Sequence, residues 1–241
     1  MLAERPLSFF SAHEFDNNTH TLPRRASIGQ KKFISRTEVG KLLATLLKYN
    51  RPHSNAVVLA IKPSATLIGA EIAKSLELPL DLFLVHSFKV DDLTVGAVAN
   101  GWDDVLLKDQ IISGCRVSEE TLKHCIDIAR NELNYKAQLY SPLNLPLPGE
   151  DGTVILVTDG IQTGQNARCT IAILRKMGYG GRIVLVSGVI GSDAQKSFMK
   201  ECDDVIALIS PRIVGGVDNW YSDSEVKDDV EEIRRTLRQC D

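Results

Sequence analysis

The residues whose types and order could do chemistry are Thr158, Asp159, Gly160, Ile161, Gln162, Thr163, Gly164, Gln165 and Asn166. Ahead of them residues 154–157 read Val-Ile-Leu-Val, a short β-branched-rich run of the kind buried on both faces of a parallel sheet. Behind them Ala167, Ile171 and Leu174 recur at helical spacing. A strand, a tight loop around Gly160 and Gly164, and a helix aim the loop's backbone N–H groups and the positive helix end at one spot. A phosphate can be held there without a lysine. Asp159, at the carboxyl end of the strand, then faces the hydroxyls of whatever carries the phosphate, so the chemistry implied is capture of a sugar phosphate. An ordinary βα turn, with Asp159 capping the helix and Gly164 easing the bend, has the same local pattern, because short motifs of this kind often recur by chance.

The whole chain must be able to position that loop. With 241 residues, 44% of them hydrophobic, it is long enough for one α/β domain with a sizeable core. Residues 1–30 mix Pro6, Asn17, Asn18, Pro23 and scattered charges without periodicity, and are expected to be a poorly ordered extension to a domain at 31–241. Glu4, Glu14 and Asp16 argue against a transit peptide, and no signal-peptide core precedes them, so a cytoplasmic protein is expected. Arg24 and Arg25 ahead of Ser27 offer a basophilic kinase site or simply a solvated basic stretch. A formal net charge of −3 gives no electrostatic case for nucleic acid or an anionic membrane. No apolar run approaches the ~20 residues that span a bilayer. Five cysteines, Cys115, Cys125, Cys169, Cys202 and Cys240, show no metal-ligand spacing and read as reduced thiols.

Taken in order, Val39, Leu42, Leu43, Leu46 and Leu47 mark a first helix that Asn50 and Pro52 end. A buried strand is expected at 55–61, a loop at Lys62, Pro63, Ser64 and Ala65, a helix carrying Ile68, Ile72 and Leu76, and a second strand at 82–85. A hairpin around Asn100 and Gly101 spans 95–107. Ser118 caps a long helix, with Val117 and Leu122 as a staple across the cap. After the loop-bearing strand and its helix, Gly178 gives a stop, and further strands are expected at 183–189 and 205–209 with a helix at 193–202 between them. Ser222 and Glu225 form a capping box for a last helix faced by Val226, Val230, Ile233 and Leu237. Five buried strands alternating with helices imply an open, doubly wound, mostly parallel sheet.

Residues 154–176 resemble the phosphoribosyl-pyrophosphate loop of type I phosphoribosyltransferases, in which a hydrophobic strand leads through two acidic residues into a Thr-Gly loop. There the acids bind the ribose hydroxyls and the loop wraps the 5-phosphate. Asp159 matches the second acid, Thr163 and Gly164 match the loop, and Thr158 stands in the first acid's place. Gln165 and Asn166 make the loop bulkier than the pattern. The likeness extends over residues 33–239, through 40–44, 57–60, 69–73, 78–81 and 96–98, to a stand-alone group of that family which also carries Trp220-Tyr221.

The departures fall on the chemistry. Where that group has a Pro-Arg-Gly-Gly loop gripping pyrophosphate, this chain has Lys62, Pro63, Ser64 and Ala65, so two glycines have gained side chains and Pro63 has no N–H to offer. Lys62 could restore a cation one residue early. His86-Ser87 replaces Arg-Lys, and the mobile segment at 88–94 is shortened. The resemblance implies the doubly wound sheet with a small hood and a small-molecule phosphoribosyl ligand. It also implies magnesium bound indirectly through the substrate, and leaves a homo-oligomer open. Asp91, Asp92, Asp103 and Asp104 could hold magnesium through water or serve as solvated loop ends, and no direct metal-ligand set is read. His86 is an acid-base candidate or a structural histidine, and Trp220-Tyr221 could stack on a base or anchor the tail. Two functional classes follow. One transfers a phosphoribosyl group to a nitrogenous base with release of pyrophosphate, Asp159 acting at the ribose. The other is a catalytically attenuated or inactive binding module on the same fold.

Overall fold

The structure, a computed structural model, describes residue 33 and residues 35–50, 55–222 and 229–239. The expected extension at 1–30, Ser27 and Cys240 lie outside the described residues, as do Glu225 and Val226 of the last predicted cap.

The organising strand, β6 (Thr153–Ile161), is buried at each of its nine positions. Its even and odd residues serve different layers, which is why the sequence there runs apolar without alternation. Ile155 and Val157 join a core with Leu43, Ile68 and Ile72. Val154 and Leu156 join another with Ile171, Leu174 and Phe198. The first layer is built by α1 (Arg36–Asn50), α2 (Thr66–Leu76) and α7 (Val230–Gln239), the second by α5 (Gln165–Lys176) and α6 (Ser192–Phe198). Between them β1 (Ala56–Ala60), β2 (Leu80–Leu82), β6, β7 (Arg182–Ile190) and β8 (Asp204–Ile209) make one sheet in the order β2-β1-β6-β7-β8. Every pairing is parallel, with Val57 beside Val154 and Leu156 beside Leu185. This is the expected doubly wound, five-stranded α/β architecture.

A second sheet of three antiparallel strands forms the hood: β3 (Val85–Val90), β4 (Leu93–Ala99) and β5 (Trp102–Leu107). After α3 (Asp109–Gly114), helix α4 (Glu119–Tyr140) packs beside it. The cap of α4 is as expected, with the Ser118 hydroxyl accepting the Thr121 N–H at 3.1 Å.

Two expectations, the second strand and the helix at 193–202, need correction. The second strand lies at Leu80–Leu82 rather than 82–85, because Leu80 pairs with Val58 and the chain leaves the sheet through buried Phe83 and Leu84. An apolar run does not say where a strand stops when the exit is also buried. Within 88–94, β3 runs to Val90 and β4 starts at Leu93, so only a two-residue turn joins them. Asp91 and Asp92 occupy it at φ 47° and 64°, the left-handed pair that a two-residue hairpin requires. The helix expected at 193–202 is shorter, ending at Phe198. Among the described residues no helix is long and apolar enough to cross a membrane, and Cys115, Cys125, Cys169 and Cys202 are free.

Candidate functional site

Strand β6 delivers Asp159 to its carboxyl end, where two neighbouring segments close over it. The first is the turn after β1, a 3-10 helix at Pro63–Ala65 that buries Ser64 and Ala65. Ser64 donates its hydroxyl to Asp159 Oδ2 at 2.9 Å, and the Lys62 ammonium lies 3.5 Å from Oδ1. The second is the start of α1, where the guanidinium of Arg36, itself fully buried, lies 3.3 Å from Oδ2. The Gly160 amide donates to Oδ1 at 2.9 Å, and the Thr158 hydroxyl reaches the same oxygen at 3.5 Å. Both carboxylate oxygens are thus met by donors, and only 5% of the side chain is exposed.

Arg36 is held from its other sides as well. It pairs with Asp218 at 3.1 Å and lies over the ring of Tyr221, 4.3 Å from its centroid. The Tyr221 hydroxyl donates to the Asp159 carbonyl, and its ring packs against Phe33. Trp220 donates its indole N–H to the Val214 carbonyl at 2.8 Å and accepts the Phe33 amide on its own carbonyl. The aromatic pair therefore anchors Phe33, Arg36 and the tail to the end of β6.

Beyond Asp159 the loop opens a cavity of about 260 Å³ whose wall includes Lys62, Gln162, Thr163, Gly164 and Asn166. Gln162 and Thr163 are exposed, and the N-cap residue of α5, Gly164, makes no side-chain cap. Gln165 turns its amide back along α5 to the Cys169 sulfur at 3.9 Å. Gly164 sits at φ 75°, a left-handed conformation natural to glycine, and a Cβ there would run into the Phe198 ring. Arg168 braces the loop from behind: it donates to the Thr163 carbonyl at 2.6 Å and to Ser197 at 3.1 Å, pairs with Glu201 at 3.0 Å, and stacks on Phe198. The arrangement suits an anion approached by backbone amides in front and a lysine at the side.

Larger concavities lie elsewhere. One of about 680 Å³ is bordered by Glu71, Lys74 and Glu232, and one of about 420 Å³ under the hood by Trp102, Arg130 and Asn134. Neither gathers the loop amides and the Lys62 cation into one wall, so chemistry rather than size marks the loop.

The other sequence candidates separate from it. His86 lies on β3 between Glu132 at 3.3 Å and Lys136 at 3.5 Å on α4. Burial, then the Lys136 charge, push its pKa below the ordinary value of 6.5 despite Glu132. Asp103 and Asp104 are exposed on β5. Among the described residues no group of three or more His, Cys, Asp or Glu side chains could hold a metal. Magnesium wants accessible anionic oxygens. Asp159 has both of its oxygens committed to donors, and Thr158 adds no second carboxylate, so these residues do not fit a magnesium ion held by the protein. Sequence reasoning missed Arg36 and Asp218. The one available hint was an arginine immediately before the apolar stripe of α1, in a chain with a lone acid on its loop.

No protein-family model matches the chain. It is 27% identical over 206 residues, 81% of its length, to a Mycobacterium tuberculosis protein bearing the name "Putative phosphoribosyl transferase MT0597" and to the same-named protein Rv0571c of a second strain. The chain spans about half the length of these curated relatives, 46% of each. Among solved structures it is similar to TT1426 of Thermus thermophilus, at TM-score 0.71 and 25% identity, covering 86% of this chain and 98% of that one. The hypoxanthine phosphoribosyltransferase of Staphylococcus aureus is a distant likeness only, at TM-score 0.42 and 14% identity over 76% of this chain and 78% of that one. The class is that of the doubly wound α/β proteins with a loop and helix after a central strand. Within that class, the chain resembles proteins bearing the name phosphoribosyl transferase in sequence and shares the fold of TT1426.

Proposed function

We propose that the protein binds a ribosyl ligand through its 5-phosphate at residues 162–166, and that its capacity to transfer the phosphoribosyl group is attenuated. The ligands considered are phosphoribosyl pyrophosphate, ribose 5-phosphate and nucleoside monophosphates. One observation carries the reading: the loop residues Gln162 to Asn166 line an open cavity while the carboxylate beside them is closed over by Arg36, Lys62 and Ser64.

Transfer would pass through a sugar centre gaining positive charge as pyrophosphate departs. The site would therefore have to aim negative charge at the ribose and donors at the leaving diphosphate. Here Asp159 is neutralised from behind. The turn that would grip the diphosphate, Lys62, Pro63, Ser64 and Ala65, directs Ser64 at the aspartate instead. Loss of a single preorganised donor costs about a hundredfold or more in rate, and this site lacks the first acid as well. Binding needs only the loop.

The test has two arms. Calorimetry should show heat with at least one of the three ligands. Incubation with magnesium, phosphoribosyl pyrophosphate and a pool of bases should release little pyrophosphate, and Thr158→Asp combined with Ser64→Gly and Ala65→Gly should raise that release. Absence of heat from every ligand removes the binding reading. Release by the natural chain at the ~1–1,000 per second typical of enzymes removes the attenuation.

A further inference from the structure

We propose that the ribosyl phosphate ligand binds without a divalent cation, Lys62 supplying the positive charge that magnesium would bring while Arg36 holds Asp159. This rests on the reading that residues 162–166 hold the 5-phosphate. The carboxylate nearest the loop is unavailable to a metal: Oδ2 takes Ser64 and Arg36, and Oδ1 takes Gly160 and Lys62. Thr158 brings a hydroxyl where a second carboxylate would be needed.

Lys62 has a second relation to the site. About a third of its side chain is exposed, and it forms part of the cavity wall. The residue whose ammonium lies 3.5 Å from Asp159 thus also borders the space in which phosphate oxygens would sit. Lysine is a mobile point charge on a flexible stem. It can lean from the carboxylate to a phosphate while Arg36 and Ser64 keep Asp159 satisfied. A magnesium ion brought to the same place would meet the Lys62 ammonium and an Asp159 carboxylate whose two oxygens are already taken by donors, so it would be opposed as well as unnecessary.

Ribose 5-phosphate is the probe, because it lacks the diphosphate that chelates magnesium on its own. Titrated calorimetrically into the full chain with excess EDTA and again with magnesium, it should give dissociation constants agreeing within about twofold. Lys62→Met should weaken binding in EDTA by roughly tenfold or more, the loss of a charge-assisted hydrogen bond. Lys62→Arg should restore most of it, with melting temperatures recorded for both variants. A tenfold gain in affinity from magnesium, or unchanged affinity in folded Lys62→Met, overturns the proposal and leaves the 5-phosphate reading standing. Absence of heat from the natural chain in both buffers overturns the two together.

Discussion

Replacing Asp159 by asparagine keeps the shape of the side chain but leaves one oxygen to accept where Gly160 and Ser64 donate to two, and it removes the negative charge. The amide nitrogen would then lie against Arg36 or Lys62, donor facing donor. Arg36 is fully buried and would keep Asp218, whose side chain is 49% exposed, as a counter-charge. Breaking a buried ion pair from one side costs about 3–5 kcal/mol, and the surviving Asp218 contact argues for the lower end, about 3 kcal/mol. For a domain of this size each kcal/mol moves the melting temperature by about 2–4 °C, so Asp159→Asn should melt roughly 6–12 °C below the natural protein. The partly exposed pair of Glu232 and Arg235, 3.7 Å apart, is the control. Glu232→Gln should change stability by less than about 1 kcal/mol. Thermal melts by circular dichroism, repeated as urea titrations, measure both. A ligand carboxylate waiting open in a cleft would behave in the opposite way, its neutralisation being neutral or stabilising. Asp159→Asn melting within about 2 °C of the natural chain, or above it, refutes the closed-carboxylate account.

Other substitutions probe the loop and the hood. Arg168→Ala, which frees the Thr163 carbonyl from its brace to Ser197 and Glu201, should weaken ribose 5-phosphate binding several-fold by calorimetry. Arg168→Lys should not restore it, since an ammonium cannot reproduce the guanidinium's fork. Gly164→Ala should lower the melting temperature by several degrees, because left-handed φ costs about 1–2 kcal/mol for a residue with a Cβ and the Phe198 ring occupies the space. His86 has a folded pKa below 6.5, so the unfolded chain takes up its proton first as pH falls. Its contribution favours the fold above pH 6.5 and is lost as pH drops through the interval beneath that value. His86→Gln should therefore flatten the decline in melting temperature between pH 7 and 5, and an unchanged slope would contradict the assignment.

The legible part of this protein is what the chain encodes locally. Residues 154–176 announce a strand, loop and helix because apolar periodicity, Gly164 and the cap-free helix start act within one turn of each other. The order of buried strands gives the sheet, and the kinship it implies, for the same reason. What stayed hidden depends on distance along the chain. Arg36 and Asp159 stand 123 residues apart, Arg36 and Asp218 182, and no spacing rule connects an arginine before one helix to an acid after a distant strand. The turn at Lys62 to Ala65 was legible as an eroded anion grip, but not as a cover for Asp159. A serine hydroxyl at 2.9 Å is a fact of packing between β1 and β6, not of the sequence of either. Asp91 and Asp92 could suggest metal chemistry in a string of letters, yet their positive φ values make them turn residues.

The amides that follow Asp159 carry the ligand-binding reading, and amide resonances report on them individually. In a ¹H–¹⁵N titration of the natural chain with ribose 5-phosphate, the largest saturable shifts should fall on residues 162–166, with smaller ones beside Lys62. Resonances that stay in place throughout the titration, or shifts gathered instead under the hood near Trp102 and Asn134, would contradict it.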